Sequence, residues 1–199
     1  LNDAPNYIAT LDSRGLIGNK VTGVVYLARR GIVKICIFSR AFSPSIGGLE
    51  RVAEILATEA AAAGHWVEVV TDSPGGAETG DDHFPFCVVR TRGLRDRVAA
   101  FKRAEVVLFM NVTLHGVLAG LVAGTPVVFS HHGIYRGRGA VGSGLEWLKR
   151  QLTRFYPNIA VSEFVARKLP GLSEVANPAF DKSGKYIFFA ASTDVGPSL

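Results

Sequence analysis

The sequence has 199 residues, 48% of them apolar, with a formal net charge of +5. That length suits one ordinary domain with tails and is short for two full α/β domains, while the apolar share supports a sizeable core. The mild positive balance fits anionic small molecules or an anionic membrane surface and argues against a dedicated nucleic-acid arm.

Residues 1–31 are poorly patterned; the apolar run at 21–27 stands isolated, and the segment reads as a loose extension or as sequence read through from an early start codon. Regular structure is expected from Ile32. Residues 32–38 are nearly all apolar and β-branched, as in a strand buried on both faces of a parallel sheet. A loop with Pro44, Gly47 and Gly48 follows. The spacing of Leu49, Val52, Ala53, Leu56, Ala60 and Ala63 then predicts a helix, which Gly64 ends in a left-handed turn. With a strand at 66–71 this completes a βαβ unit. The alternation continues with strands at 84–89, 106–110, 126–129 and 158–161 and helices at 94–103, 114–123, 145–156 and 163–168. Such a series predicts an α/β fold, a Rossmann-like doubly wound, mostly parallel sheet.

Ligands of these sheets bind at the carboxyl ends of the strands, so the residues there are the candidates. Gly47 and Gly48 let backbone N–H groups approach an oxygen-rich ligand at the start of a helix, although a plain tight turn would need the same residues. The loop is neither a dinucleotide fingerprint nor a P-loop. His131 and His132 follow the strand at 126–129; neighbours on an extended segment point opposite ways, so one of the two should face the cleft. No third ligand stands at a spacing that would make a metal site. Ser162 is a helix N-cap candidate, with Glu163 in the first turn, and capping alone would explain both. The stretch 136–154 carries Arg136, Arg138, Lys149, Arg150 and Arg154 beside Trp147, Leu148 and Leu152, with Phe155 just beyond. This pattern suits an anionic membrane surface or an ordinary helix with a solvated basic face. The cluster Arg90, Arg92, Arg95, Arg97, Lys102 and Arg103 is similarly open. Cys36 and Cys87 each sit in an apolar run and are expected as buried free thiols. No run reaches the roughly 18–20 apolar residues of a membrane-spanning helix, and no signal-peptide pattern stands at the N-terminus, so a cytoplasmic protein is expected.

In order along the chain, several segments resemble glycosyltransferase family 4. Residues 34–38 with the loop Pro44-Ser45-Ile46-Gly47-Gly48-Leu49-Glu50 are similar to the family's first strand and its P-x-x-G-G-x-E loop. The segment Ala63-Gly64-His65-Trp66-Val67-Glu68-Val69-Val70-Thr71, Gly124-Thr125-Pro126-Val127-Val128 with His131-His132-Gly133, Val161-Ser162-Glu163, and Val175-Ala176-Asn177-Pro178-Ala179-Phe180-Asp181 look like four further family motifs. One such motif would be weak; five in order, covering about residues 32–190, are specific.

The resemblance implies one half of a GT-B architecture, two Rossmann-like domains facing each other across a cleft. It implies an acceptor-side domain at 32–176, an interdomain linker at 177–184 and the start of a donor domain at 185–199, after the extension at 1–31. It implies transfer with retention from a nucleotide-sugar to a sugar or lipid-linked acceptor, without a metal or other cofactor. Gly47 and Gly48 would approach the donor diphosphate or the acceptor, and Glu50 would order their loop. His132 would contact the transferred sugar, with His131 in reserve, and Ser162 and Glu163 would lie at the substrate site. The family's donor half carries an Arg, a Lys and two glutamates seven residues apart. Here a strand at 185–190 is followed by residues 191–199 without that pattern, as a frameshift or premature stop would leave it. The chain alone is therefore expected to be inactive. Peripheral contact with the inner membrane face through 136–154 and no nucleic-acid partner are expected. The alternatives are a non-catalytic module for sugar or anionic lipid, half of a split enzyme, or a gene remnant.

Overall fold

The computed structural model describes residues 32–75, 80–91, 93–133, 139–170, 174–180 and 187–191. The expectations for residues 1–31, Arg92, Arg136, Arg138, 181–186 and 192–199 fall outside these. The first strand, β1 (Lys34–Ser39), is buried at every residue after Lys34, as its unbroken apolar run requires. It leads into α1 (Gly48–Ala62) and returns through β2 (Trp66–Thr71). Then follow β3 (Cys87–Arg90), α2 (Leu94–Phe101), β4 (Val106–Met110), α3 (Leu114–Ala123) and β5 (Val127–His131). Last come α4 (Gly139–Leu152), β6 (Asn158–Ala160), α5 (Glu163–Ala166), β7 (Glu174–Phe180) and β8 (Ile187–Ala191).

The strands form a sheet in the order β3-β2-β1-β4-β5-β6-β7-β8. All pairings are parallel except the last, β7 with β8. The doubly wound, mostly parallel sheet is therefore present. After β3 the chain crosses back to the far side of β1, so the direction of winding reverses between β1 and β4. Alternate residues of β1 serve different faces. Ile35 and Ile37 pack with Ala53 and Ala57 of α1. Cys36 and Phe38 pack with Phe101 of α2 and Val117 of α3.

On that second face Phe38 meets Phe101 and Phe109 edge to face, with centroids 5.5 and 5.2 Å away. Gly116 of α3 lies directly over this cluster. A Cβ there would stand 2.6 Å from ring carbons of Phe38 and Phe109 and from Thr113 Oγ1. Overpacking of this kind costs about 3 kcal/mol, against a helix-propensity gain of about 1 kcal/mol. Gly116→Ala is thus expected to lose about 2 kcal/mol in chemical denaturation; an unchanged or higher midpoint would show that the rings yield.

Several boundaries differ from expectation. Cys36 is buried, but Cys87 is exposed, because it opens the edge strand β3 and has no strand beyond it. That strand begins three residues late, since Phe84 and Phe86 stack on each other at 5.0 Å and pack against Phe42 instead. Helix α4 starts at Gly139 rather than 145 and passes into a 3-10 turn at Thr153–Phe155. Residues 177–180, expected in a linker, run as the second half of β7 opposite β8. Pro178 stands opposite Phe189 of β8, past the two residues, Glu174 and Val175, at which β7 pairs with β6.

Candidate functional site

Parallel strands deliver their carboxyl ends to one edge, and that edge collects the glycine loop, the two histidines, Ser162 and Glu163. After β1, the Ser45 N–H donates to the Phe42 carbonyl at 3.0 Å, closing a turn around the cis Ser43–Pro44 bond. Phe42 is fully buried and its N–H donates to Ser73 Oγ at 3.0 Å. Gly47 is the N-cap of α1 and brings no side-chain cap. Its lack of a Cβ has a local cause: that atom would fall on the carboxylate of Glu50. Glu50 in turn accepts from Ser45 Oγ at 3.4 Å. Around Gly48 the Cβ position meets nothing within 4 Å, leaving the uncapped first turn of α1 open.

The loop is anchored by Arg90 at the end of β3. Nη2 donates to the Ser43 carbonyl at 2.8 Å, and Nη1 reaches the Ser73 and Pro74 carbonyls, both at 3.0 Å. Nε and Nη2 grip the Asp81 carboxylate at 2.9 and 2.6 Å. All five guanidinium donors are used. Next to it, Asp72 accepts from buried Arg97 at 2.5 Å and pairs with His115 Nε2 at 3.0 Å. Asp72, Ser73, Pro74, Gly75, Arg90 and Thr91 line a cavity of about 340 Å³. Its charges are matched within the wall, so it offers no free guanidinium to an anion.

Across the switch point, Asn111 follows β4 with φ 67°. This left-handed conformation is uncommon outside glycine, and asparagine tolerates it best. Its N–H donates to the Ser130 carbonyl at 2.8 Å, and its Oδ1 accepts from the His132 N–H at 2.8 Å. His132 is half-buried, with Nε2 2.9 Å from Ser130 Oγ. Burial pushes its pKa below the ordinary value, so the ring is neutral at neutral pH. His131 points the other way, into the core. It is fully buried, and its Nε2–H donates to Asn158 Oδ1 at 2.8 Å. Burial foremost lowers its pKa to about 4.

Ser162 caps α5, accepting from the Val165 N–H at 3.3 Å, and exposed Glu163 pairs with Arg167 at 2.7 Å. These two stand on the same edge, one strand beyond the histidines. The glycine loop and His132 are two strands apart, about 10 Å by sheet spacing. Asn111, Asp72 and His115 escape sequence reading, as do the particular roles of Arg90 and Arg97, which stand out there only as members of a basic cluster. The only signal for Asn111 and Asp72 is a polar residue directly after an apolar strand. Among the described residues no three His, Cys, Asp or Glu side chains are placed to hold a metal ion.

Residues 46–176 match the family model for glycosyltransferase family 4. The chain belongs to that family. Its fold is Rossmann-like, a doubly wound, mostly parallel α/β sheet. A glycosyltransferase from Rickettsia africae superposes with TM-score 0.50 at 14% identity, over 68% of this chain and 38% of that one. MurG of Acinetobacter baumannii superposes with TM-score 0.47 at 16% identity, over 74% and 47%. Bordetella bronchiseptica WbmG, solved with NAD and UDP, does so with TM-score 0.44 at 13% identity, over 68% and 54%. At such identities the likeness is one of fold. The chain thus spans less than half of the first two. No curated protein matches it.

Proposed function

We propose that this family 4 domain is the acceptor-side half of a retaining, metal-independent glycosyltransferase. It binds a sugar or lipid-linked acceptor, while a nucleotide-sugar is held by a donor half that residues 1–199 do not supply. The observation that carries this reading is the pairing of an uncapped Gly47-Gly48 helix start with a neutral, half-buried His132 on one sheet edge. The helix start favours an oxygen-rich, anionic group. His132 contacts the sugar under transfer and stabilises charge as it develops; His131 supports it from within. Gly47, Gly48 and Glu50 shape the phosphate- or acceptor-facing loop, and Ser162 and Glu163 border the site. Because the leaving diphosphate needs stabilisation that this half lacks, residues 1–199 alone are expected to transfer no sugar. Transfer by the purified chain from any nucleotide-sugar would overturn that. In an enzyme completed with its donor half, His132→Ala is expected to lower kcat roughly 100-fold with KM little changed; wild-type turnover would remove His132 from the chemistry.

A second feature adds a lipid surface to this reading. Among the described residues no helix is long and apolar enough to cross a membrane. Yet α4 and the segments after it expose Leu145, Trp147 (60%), Leu148, Phe155 (66%) and Phe164 beside Arg150 and Arg154. Aromatic and basic residues together suit the inner face of an anionic bilayer. Arg150→Glu with Arg154→Glu is expected to weaken co-sedimentation with phosphatidylglycerol vesicles at least roughly tenfold. Equal binding by wild type and variant would exclude this surface.

A further inference from the structure

Adjacent histidines at the end of β5 are held in different ways. The side that carries His132 is built from two residues that no family motif points to. Asn111 ties the backbone on both sides of His131. Its N–H donates to the Ser130 carbonyl at 2.8 Å, and its Oδ1 accepts from the His132 N–H at 2.8 Å. It does so from a left-handed conformation, φ 67°, that few residues hold without support. Ser130 is buried, and its Oγ lies 2.9 Å from His132 Nε2.

The proton in that contact has two places to be. If Nε2 carried it, the ring would donate to Oγ. The buried hydroxyl hydrogen would then need another acceptor, and Oγ has no other hydrogen-bond partner among the described residues. If the hydroxyl donates to Nε2, every hydrogen in the contact is used, and the ring proton resides on Nδ1. Nδ1 has no partner among the described residues. We propose that Ser130 and Asn111 are positioning residues for His132. Ser130 fixes the neutral ring with its proton on Nδ1, and Asn111 holds the peptide from which the ring projects. His132 then offers a bound ligand a hydrogen-bond donor, suited to a hydroxyl or phosphoryl oxygen, and does not act as a base. This rests on the reading of His132 as the ligand-facing histidine. Burial keeps the ring neutral, so that Nε2 is left free to accept. His131, whose Nε2–H donates to Asn158, carries the opposite tautomer one residue away.

The test needs no substrate. The 199-residue chain, labelled with nitrogen-15 in its histidines, is studied by long-range proton–nitrogen correlation at slightly alkaline pH. The expected spectrum shows His132 with a protonated Nδ1 and a bare Nε2, and His131 with the reverse. Ser130→Thr should keep the His132 pattern. Ser130→Ala should move it toward the Nε2–H form that a free histidine side chain prefers. Asn111→Gly keeps the backbone conformation accessible but removes the acceptor, and should raise exchange of the His132 amide proton roughly tenfold. A wild-type His132 protonated on Nε2 overturns the proposal, and needs no variant to fold. A Ser130→Ala spectrum identical to wild type overturns the role of Ser130, and unaltered amide exchange in Asn111→Gly overturns that of Asn111. If His132→Ala left a completed enzyme active, the ligand-facing reading would fail while the tautomer assignment stood, so the two failures are distinct.

Discussion

Arg90→Ala is expected to lower the unfolding free energy by about 4 kcal/mol and to release the loop at 42–48. The size follows from what the guanidinium does at the end of an edge strand. Three of its five donors hold backbone carbonyls, Ser43 after β1 and Ser73 and Pro74 after β2. Truncation orphans those carbonyls and leaves the half-buried Asp81 carboxylate without its counter-charge. Arg90→Lys should recover little, because an ammonium has three donors on a flexible stem and cannot span the same fork. Asp81→Asn alone should cost less, since the three carbonyl contacts survive. Chemical denaturation of the three variants checks the order. A loss below about 1 kcal/mol for Arg90→Ala would mean that the loop is held by Phe42 packing and the Ser73 contact alone. The consequence for function is local: Gly47 and Gly48 keep their place relative to the sheet edge through Ser43, five residues from the start of α1.

The parts of the fold legible in the sequence are those where one local rule decides. Unbroken apolar runs mark β1 and β4 because both faces of a parallel sheet are covered. Gly64 and Gly124 mark helix ends because each has positive φ, 87° and 70°. Legibility fails where distant residues decide. Phe84 and Phe86 look like strand residues but are claimed by Phe42 across the loop. Residues 177–180 look like a linker because Asn177 and Pro178 are poor strand formers, yet the chain beyond β6 pairs with β8 on one side only. At the site, the two-histidine signal was readable, and alternation implied that one ring faces inward. Which ring does so depends on Asn158, 27 residues away. Asp72 and Arg97 are likewise partners separated by 25 residues, and no spacing rule joins them. Asn111 is silent in sequence because its importance lies in its backbone angle.

His131 should make the domain acid-labile well above the range where carboxylates titrate. Its pKa in the folded chain is about 4, lowered chiefly by burial and further by the neighbouring His132, while the bond to Asn158 works against the shift. In the unfolded chain it returns to about 6.5. The folded state therefore binds fewer protons than the unfolded one between these values, and stability falls as pH drops through that window. Full stability is present above about pH 6.5, and about 3 kcal/mol of it is gone by pH 4. His132 is shifted the same way by burial and adds to the slope. His131→Gln can still donate to Asn158 but cannot bind a proton, so its stability should vary less with pH over the same interval. Asn158 itself must stay, because its amide also donates to the Thr153 and Tyr156 carbonyls at 2.6 and 2.7 Å and so ties the end of α4 to β6. Urea midpoints measured from pH 7 to 4 on both proteins decide the matter. Parallel curves would mean that the ring is charged in the fold and that a counter-charge reaches it. Converging curves would show that one buried imidazole, placed behind the site to hold β5 against β6, sets the pH range in which the edge carrying His132 exists.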